Sequence, residues 1–187
     1  MRTSETKTVI RDFVPADAEG VSNLFRAIYG PRYVYPEVYL PSLIRERNAG
    51  GKWHSAIAEL DGEIVAHAAL LHDQEAPGQA EIALTVASPR VAGRGTGVRV
   101  CRHLRDRAPQ WGIGMLTAIL VSSHVQSQRM ANPLGFGTTG LLLDYLPSSF
   151  LPNARESYVL ACLPLMSCPL PCLDWPDGCD HWLSAMT

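Results

Sequence analysis

The most informative stretch of this chain is Arg90-Val-Ala-Gly-Arg-Gly-Thr-Gly-Val-Arg99. An apolar run at residues 82–86 precedes it, and an amphipathic run begins at Gly97. A strand, a glycine-rich turn and a helix in this order present several backbone N–H groups to one phosphate. Glycine suits such a turn because it adopts φ > 0 and lets a ligand approach the main chain closely. The stretch therefore predicts a site for a phosphorylated ligand.

Arginines are concentrated around this stretch, although the formal net charge of the chain is only −2. The crowded set is Arg90, Arg94, Arg99, Arg102, Arg105 and Arg107. Local positive charge on a near-neutral protein favours a discrete anionic ligand over a polyanion, so we expect no nucleic-acid partner. A solvated helix face is the alternative interpretation for the arginines beyond Arg99.

The size and composition of the chain fit one globular domain. Its 187 residues are 47% hydrophobic and 18% charged, which is typical of a protein with a sizeable core. We expect a single domain over residues 1–166 and an irregular tail rich in Pro, Cys and Trp at 167–187. No apolar run approaches the ~18 residues of a membrane span, and the N-terminus lacks an apolar signal core, so we expect a cytoplasmic protein without a membrane partner.

Five cysteines fall into two groups. Cys101 and Cys162 lie in apolar patterns that predict buried thiols. Cys168, Cys172 and Cys179 lie in the tail with His181, at spacings that match no standard zinc pattern. We therefore expect no metal site.

Hydrophobic periodicity and turn residues predict the order β-α-α-β-β-β-α-β-α-β-β. Strands are predicted at 8–14, 53–60, 63–71, 80–87, 115–121, 138–146 and 156–163, and helices at 15–29, 41–47, 97–108 and 125–134. Asp61-Gly62 between two apolar runs predicts a hairpin with a type I′ turn. The continuous apolar strand at 115–121 is expected to be buried on both faces. The result is a mixed sheet with helices on both faces.

This order, with a glycine-rich turn after the fourth strand, resembles the GNAT family of N-acetyltransferases. The resemblance covers residues 8–164 and is carried by four features: the stretch 86–97, the Asp61-Gly62 hairpin, the segment 124–136 that ends in Leu-Gly-Phe, and the strands after Gly137. It implies an α/β (α+β) fold of GNAT type, with a central mixed, mostly antiparallel sheet flanked by helices. It also implies acetyl-CoA as co-substrate.

The resemblance assigns the cofactor contacts residue by residue. Backbone at Val86 and Ala87 would meet the pantetheine amides, Arg90 or Arg99 the 3′-phosphate, and Ser127 and Gln128 other polar groups. The pyrophosphate would be held by Arg94, Gly95, Thr96 and Gly97. Ala92 departs from the Gln or Arg that the family carries at the first loop position, which removes a side-chain contact and keeps the backbone cradle.

Catalysis needs a group that accepts a proton from the attacking amine and benefits from an acid near the leaving thiolate. In the family a carboxylate on the fourth strand often serves as base, and Glu81 occupies that place; a solvated glutamate at a strand start is the alternative. The family's usual Tyr falls on Ala131, and no Tyr occurs between Gly112 and Leu143. His124 is the candidate acid, with a capping or core histidine as the alternative.

The function implied is transfer of an acetyl group from acetyl-CoA to an amine, on a small molecule or a peptide. Tyr29, Tyr33 and His67 are candidate acceptor contacts. Loop packing is the alternative for the two tyrosines, and a core position is the alternative for His67. Because Ala92 and Ala131 depart from the family pattern, an inactive acyl-CoA-binding sensor is the second interpretation. The sequence leaves the oligomeric state open, with a dimer among the options.

Overall fold

The computed structural model of the protein describes residues 8–72, 76–122, 125–147 and 154–166. Its strands are β1 (Val9–Asp12), β2 (Trp53–Leu60), β3 (Glu63–His72), β4 (Gln79–Ala87), β5 (Met115–Val121), β6 (Gly137–Pro147) and β7 (Arg155–Pro164). Its helices are α1 (Ala18–Tyr29), α2 (Pro41–Ala49), α3 (Thr96–Arg107) and α4 (Val125–Ala131). The predicted element order is confirmed.

The strands form one sheet in the order β1-β2-β3-β4-β5-β7-β6, antiparallel throughout except between β4 and β5. These two parallel strands pair only where Gln79–Glu81 meet Met115–Thr117. Beyond that point β4 has no strand partner on its β5 side among the described residues. The two strands therefore diverge and open a wedge in the middle of the sheet.

The hairpin between β2 and β3 turns at Asp61 and Gly62, whose φ angles are 55° and 81°. Positive φ at both central positions is the type I′ geometry that fits the right-handed twist of paired strands. The predicted hairpin is confirmed.

Helices cover the sheet on both faces. On one face α3 buries Val100, Cys101 and Leu104 against β2, β3 and β4. On the other face α1 buries Val21 and Phe25, and α2 adds Ile44. Burying side chains of this size stabilises the fold by roughly 1.5–3 kcal/mol each. The sheet is thus fixed between two apolar layers, here called the α3 face and the α1 face.

The prediction that β5 is buried on both faces is wrong. Leu116, Ala118 and Leu120 are buried on the α3 face, whereas the alternate residues from Met115 to Val121 are half-buried. The reason is that α1 and α2 pack on β2, β3 and β4 and leave β5 uncovered. The α1 face of β5 is therefore the floor of a cleft.

The two cysteines predicted to be buried differ in their exposure. Cys101 is buried as expected, while Cys162 is half-buried. The tail, with its cysteines and His181, lies outside the described residues. None of the helices in the described ranges is long and apolar enough to cross a membrane.

Candidate active site

The glycine-rich stretch folds into a short 3₁₀ turn, Pro89–Val91, followed by the start of α3 at Thr96. Gly93 and Gly95 have φ of 70° and 65°. A Cβ at Gly95 would meet no atom within 4 Å, so the backbone conformation, not crowding, requires glycine there. No side chain caps the helix at Gly95, and the N–H groups of a first helical turn have no intrahelical acceptor. This helix end therefore offers free donors to an anion.

Thr96 adds a hydroxyl to the same helix end. Its side chain is buried, and within the described residues its Oγ1 has no hydrogen-bond partner. A buried polar atom without a partner costs about 1–3 kcal/mol. The unpaired hydroxyl, the free N–H groups and the open space before Gly95 together fit a phosphate group.

The arginines of the stretch differ in their partners. Arg90 forms an ion pair with Glu63 on β3, and Arg99 donates to the carbonyl of Thr8 at 3.4 Å. Arg94 is exposed, and no ion pair is formed by it within the described ranges. Further along α3, Arg105 pairs with Asp106 and Arg107 with Asp12, so these two stabilise the fold.

A β-bulge in β4 changes the face of the sheet on which the following side chains lie. The register steps from Val86 opposite His67 to Ala83 opposite Ala69, and Leu84 has a φ of 52°. Bulges re-aim the side chains of a strand. Before the bulge Ile82 packs on the α3 face, and after it Leu84 packs on the α1 face.

Thr85 consequently lies on the α3 face, where its Oγ1 is 3.6 Å from Cys101 Sγ. Its methyl group and Met130 Sδ both lie 3.9 Å from the position of a Cβ at Gly97. The α3 face of the wedge is thus continuous with the glycine-rich turn.

Glu81 lies at the last paired position of β4, beside Thr117 of β5. Both line a cavity of about 340 Å³ whose wall includes Leu71 and His72. Burial raises the pKa of Glu81 to about 7, and in the described part of the chain no cation forms an ion pair with it. A half-buried carboxylate at the point where two strands diverge does not match the solvated alternative.

Phe25 and the tyrosines that follow it pack against one another on the α1 face. Phe25 lies 4.9 Å from Tyr33, and Tyr33 lies 4.6 Å from Tyr29 and 6.1 Å from Tyr35, measured between ring centroids. The N–H of Tyr33 donates to the hydroxyl of Tyr39 at 2.9 Å. Tyr29, at the end of α1, and Tyr33, in the loop that follows, therefore pack together. Tyr33 and Tyr35 pack on the same cluster as Leu71, the residue opposite Glu81.

His67 is fully buried on the α1 face. Its Nδ1 lies 3.0 Å from the carbonyl oxygen of Leu84, and its ring meets Phe25 edge-on at 5.8 Å. Burial lowers the pKa of His67 to about 4, so the ring is neutral. Of the two interpretations left open by the sequence, the structure shows the core position, where His67 holds the bulge of β4.

The helix after β5 is anchored by two of the predicted cofactor contacts. Ser127 Oγ lies 3.4 Å from the carbonyl oxygen of Val121, and Gln128 Nε2 donates to Val121 and Ser122 at 3.2 and 2.8 Å. These bonds fix α4 at the end of β5. Ala131 is buried, and His124 lies outside the described residues.

Tyr158 is a candidate site residue that the sequence did not indicate. The register places Thr117 opposite Cys162 and Val121 opposite Tyr158, so Tyr158 shares the α1 face with Thr117 and Glu81. The signal available was the alternation of polar and apolar residues along β7. It could not be used before the pairing of β7 with β5 was known.

A comparison of the sequence with family models identifies the family of this chain. The model of the acetyltransferase (GNAT) family matches residues 18–136. The chain belongs to this family. Membership confirms the expected fold, the enzyme class and the expected acetyl-CoA co-substrate.

Solved structures support the same fold for this GNAT acetyltransferase. An N-acetyltransferase from Staphylococcus aureus Mu50 has a TM-score of 0.75 at 14% identity, covering 86% of this chain and all of that one. The ribosomal-protein-S18-alanine N-acetyltransferase from Escherichia coli has a TM-score of 0.67 at 18% identity, covering 90% and 100%. A phosphinothricin acetyltransferase from Sinorhizobium meliloti, solved with acetyl-CoA, has a TM-score of 0.72 at 19% identity, covering 91% and 97%. No curated protein matches the sequence significantly.

Proposed function

We propose that this GNAT acetyltransferase transfers an acetyl group from acetyl-CoA to an amine whose proton is accepted by Glu81. The observation that carries the proposal is the environment of Glu81, which is half-buried beside the wedge and lines a cavity. Its pKa of about 7, raised by burial, lies where a general base is efficient at neutral pH. The amine acceptor would enter this cavity from the α1 face.

The cofactor side of the proposal rests on the start of α3. N–H groups at Gly95, Thr96 and Gly97, with the Thr96 hydroxyl, would hold the pyrophosphate, and exposed Arg94 would add charge. On its β5 side, β4 has no strand partner at Val86 and Ala87 among the described residues, and this edge would pair with the pantetheine amides. The 3′-phosphate falls to Arg99 or to Arg90, which would have to leave Glu63.

Acetyl-CoA supplies an acyl thioester when bound. The chain's own residues then have two tasks. Glu81 takes a proton from an ammonium acceptor before attack, which leaves a neutral, nucleophilic amine inside the cavity. The nitrogen loses a second proton as the amide forms, and the departing thiolate takes up one proton. A donor to the departing thiolate completes the proton balance, and His124 is proposed for it from the sequence.

The site on α3 is tested by Gly95→Glu, with Gly51→Glu as the matched control. Both glycines have similar φ, 65° and 68°, and both Cβ positions are open. The cost of a left-handed backbone for a non-glycine residue, about 1–2 kcal/mol, is therefore shared. Calorimetry should show acetyl-CoA binding lost in Gly95→Glu, because a carboxylate would occupy the anion site, and retained in Gly51→Glu. Wild-type affinity in Gly95→Glu would contradict the placement.

Turnover is tested separately by following free thiol with acetyl-CoA and a mixed pool of amines. The enzyme should release thiol in an amine-dependent manner. Acetyl-CoA binding without amine-dependent thiol release would contradict the catalytic proposal and support the sensor interpretation.

A further inference from the structure

Two pairs of tyrosines lie on the α1 face of the sheet around the cleft. Tyr33 and Tyr35, from the loop before α2, have ring centroids 6.1 Å apart at an angle of 43°. Tyr145 of β6 and Tyr158 of β7 have centroids 6.3 Å apart at 81°. Rings at such angles present faces in different directions, so the four phenols can surround a ligand group.

The two pairs belong to one cleft that includes Glu81. Burial, and after it the charge of Glu81, raises the pKa of Tyr35 to about 12, and Tyr145 and Tyr158 contribute in the same direction. Burial is also the main cause of the raised pKa of Tyr33, to which Glu81 and Tyr158 add. The packing agrees with this placement: Tyr33 and Tyr35 pack on the same cluster as Leu71, which lies opposite Glu81 and lines its cavity. The strand register puts Tyr158 on the face of the sheet that carries Glu81.

Within the described ranges, the charged side chains that raise the pKa of these tyrosines are carboxylates. Glu156 is buried two residues from Tyr158 and, after burial itself, raises its pKa. Glu37 acts on Tyr35 in the same way and pairs with Arg47 at 3.5 Å. The guanidinium of Arg155 is directed onto the carbonyl oxygens of Asp144 and Tyr145, at 2.6 and 2.8 Å.

Aromatic faces near carboxylates attract cations. An ammonium over a tyrosine ring gains about 0.5–1 kcal/mol when exposed and about 2 kcal/mol when desolvated. An anionic group in the same cleft would meet the negative faces of the rings and the carboxylate of Glu81. The cleft thus favours a positively charged acceptor.

We infer that the acceptor is a small alkyl diamine or a similar dication, with one nitrogen at Glu81 and a second, charged nitrogen against the tyrosine rings. The inference rests on the proposed function and specifies its substrate class. The nitrogen at Glu81 gives up its proton and reacts. The second nitrogen stays protonated, because the tyrosine faces and the negative cleft stabilise its charge, and it orients the acceptor.

The test uses three acceptors of the same length that differ in the distal group: 1,4-diaminobutane, 4-amino-1-butanol and 4-aminobutyrate. Acetyl-CoA is saturating, and both free thiol and the N-acetyl product are measured. We expect kcat/KM to fall from the diamine to the alcohol to the acid, by about 5- to 30-fold in the first step. Equal or better use of the alcohol or the acid would overturn the inference while the proposed function stands. Failure of all three to release thiol, while the mixed pool of amines supports release, would overturn the inference alone. Failure of the three acceptors and of the mixed pool would overturn both.

Tyr35→Leu and Tyr35→Phe test the role of the ring, since Phe keeps an aromatic face and Leu does not. The readout is the ratio of kcat/KM for the diamine to that for the amino alcohol, which cancels losses of folded enzyme. The ratio should fall about 5- to 30-fold in Tyr35→Leu and stay near the wild-type value in Tyr35→Phe. An unchanged ratio in Tyr35→Leu would overturn the cation site.

Discussion

Glu81 should make the protein less stable at high pH than at low pH, and Glu81→Gln should remove this effect. The pKa of Glu81 rises from the ordinary 4.5 to about 7 in the folded protein because burial penalises its charge. Below pH 4.5 both the folded and the unfolded states carry the proton. Between 4.5 and 7 the unfolded state releases it first, so stability falls as pH rises, and above 7 the full cost is present.

The magnitude follows from the two pKa values. A difference of about 2.5 pKa units corresponds to about 3.4 kcal/mol at high pH, and about 2.5 kcal/mol of this appears between pH 5 and pH 8. Glutamine has the shape of the protonated acid and does not ionise. Glu81→Gln should therefore gain about 2.5 kcal/mol relative to wild type on moving from pH 5 to pH 8. For a chain of this size the gain corresponds to roughly 5–10 °C in Tm.

Urea unfolding of both proteins at pH 5, 6, 7 and 8 measures this difference. Wild type and variant should have the same m-value, so that the change in midpoint reports stability alone. A difference in the free energy of unfolding that stays constant from pH 5 to pH 8 would refute the burial of an unpaired carboxylate at this position.

Two further predictions concern stability. His67 should contribute in the opposite direction to Glu81: its pKa falls from 6.5 to about 4 on burial, so this residue alone should cost about 2.5 kcal/mol between pH 7.5 and pH 4.5. His67→Asn keeps Glu81 and lacks this cost, so in urea titrations the variant should gain about 2.5 kcal/mol relative to wild type over that range, and a constant difference would contradict the burial of a neutral histidine. Asp17→Asn should cost about 3 kcal/mol, because Asp17 accepts from Arg11 at 2.7 and 2.9 Å and from Val14 N–H at 2.8 Å. Thermal melts measure this loss of stability. The exposed control Glu19→Gln should cost under about 0.5 kcal/mol in the same assay, and equal losses in the two variants would contradict the role of Asp17.

The fold was predictable where a local pattern determines the backbone. The Asp61-Gly62 turn needs positive φ at two residues, and Asp-Gly is a dipeptide favoured in such turns. Gly95 is similar, since its left-handed conformation at the start of α3 requires glycine. In both cases the residue type and the conformation are linked at one position, so no tertiary contact has to be known.

The site was less predictable because tertiary contacts arrange it. Leu84 adopts a positive φ that a leucine side chain does not favour. Its packing on the α1 face accompanies this bulge, and the sequence does not show that packing. Arg90 was expected at a phosphate, but its ion pair with Glu63 depends on how β3 lies beside the turn. Tyr158 reaches the cleft because β7 pairs with β5, which places it opposite Val121. Periodicity within β7 could not reveal that pairing.

Glu81 as the base is tested most directly by the pH dependence of kcat/KM for amine-dependent thiol release by wild type and Glu81→Gln. Wild-type kcat/KM should rise with pH through an apparent pKa near 7, as Glu81 ionises. Glu81→Gln should bind acetyl-CoA as wild type does and lose this step together with most of its turnover. A Glu81→Gln enzyme with the wild-type rate and the same pH profile would contradict the assignment of Glu81 as the base.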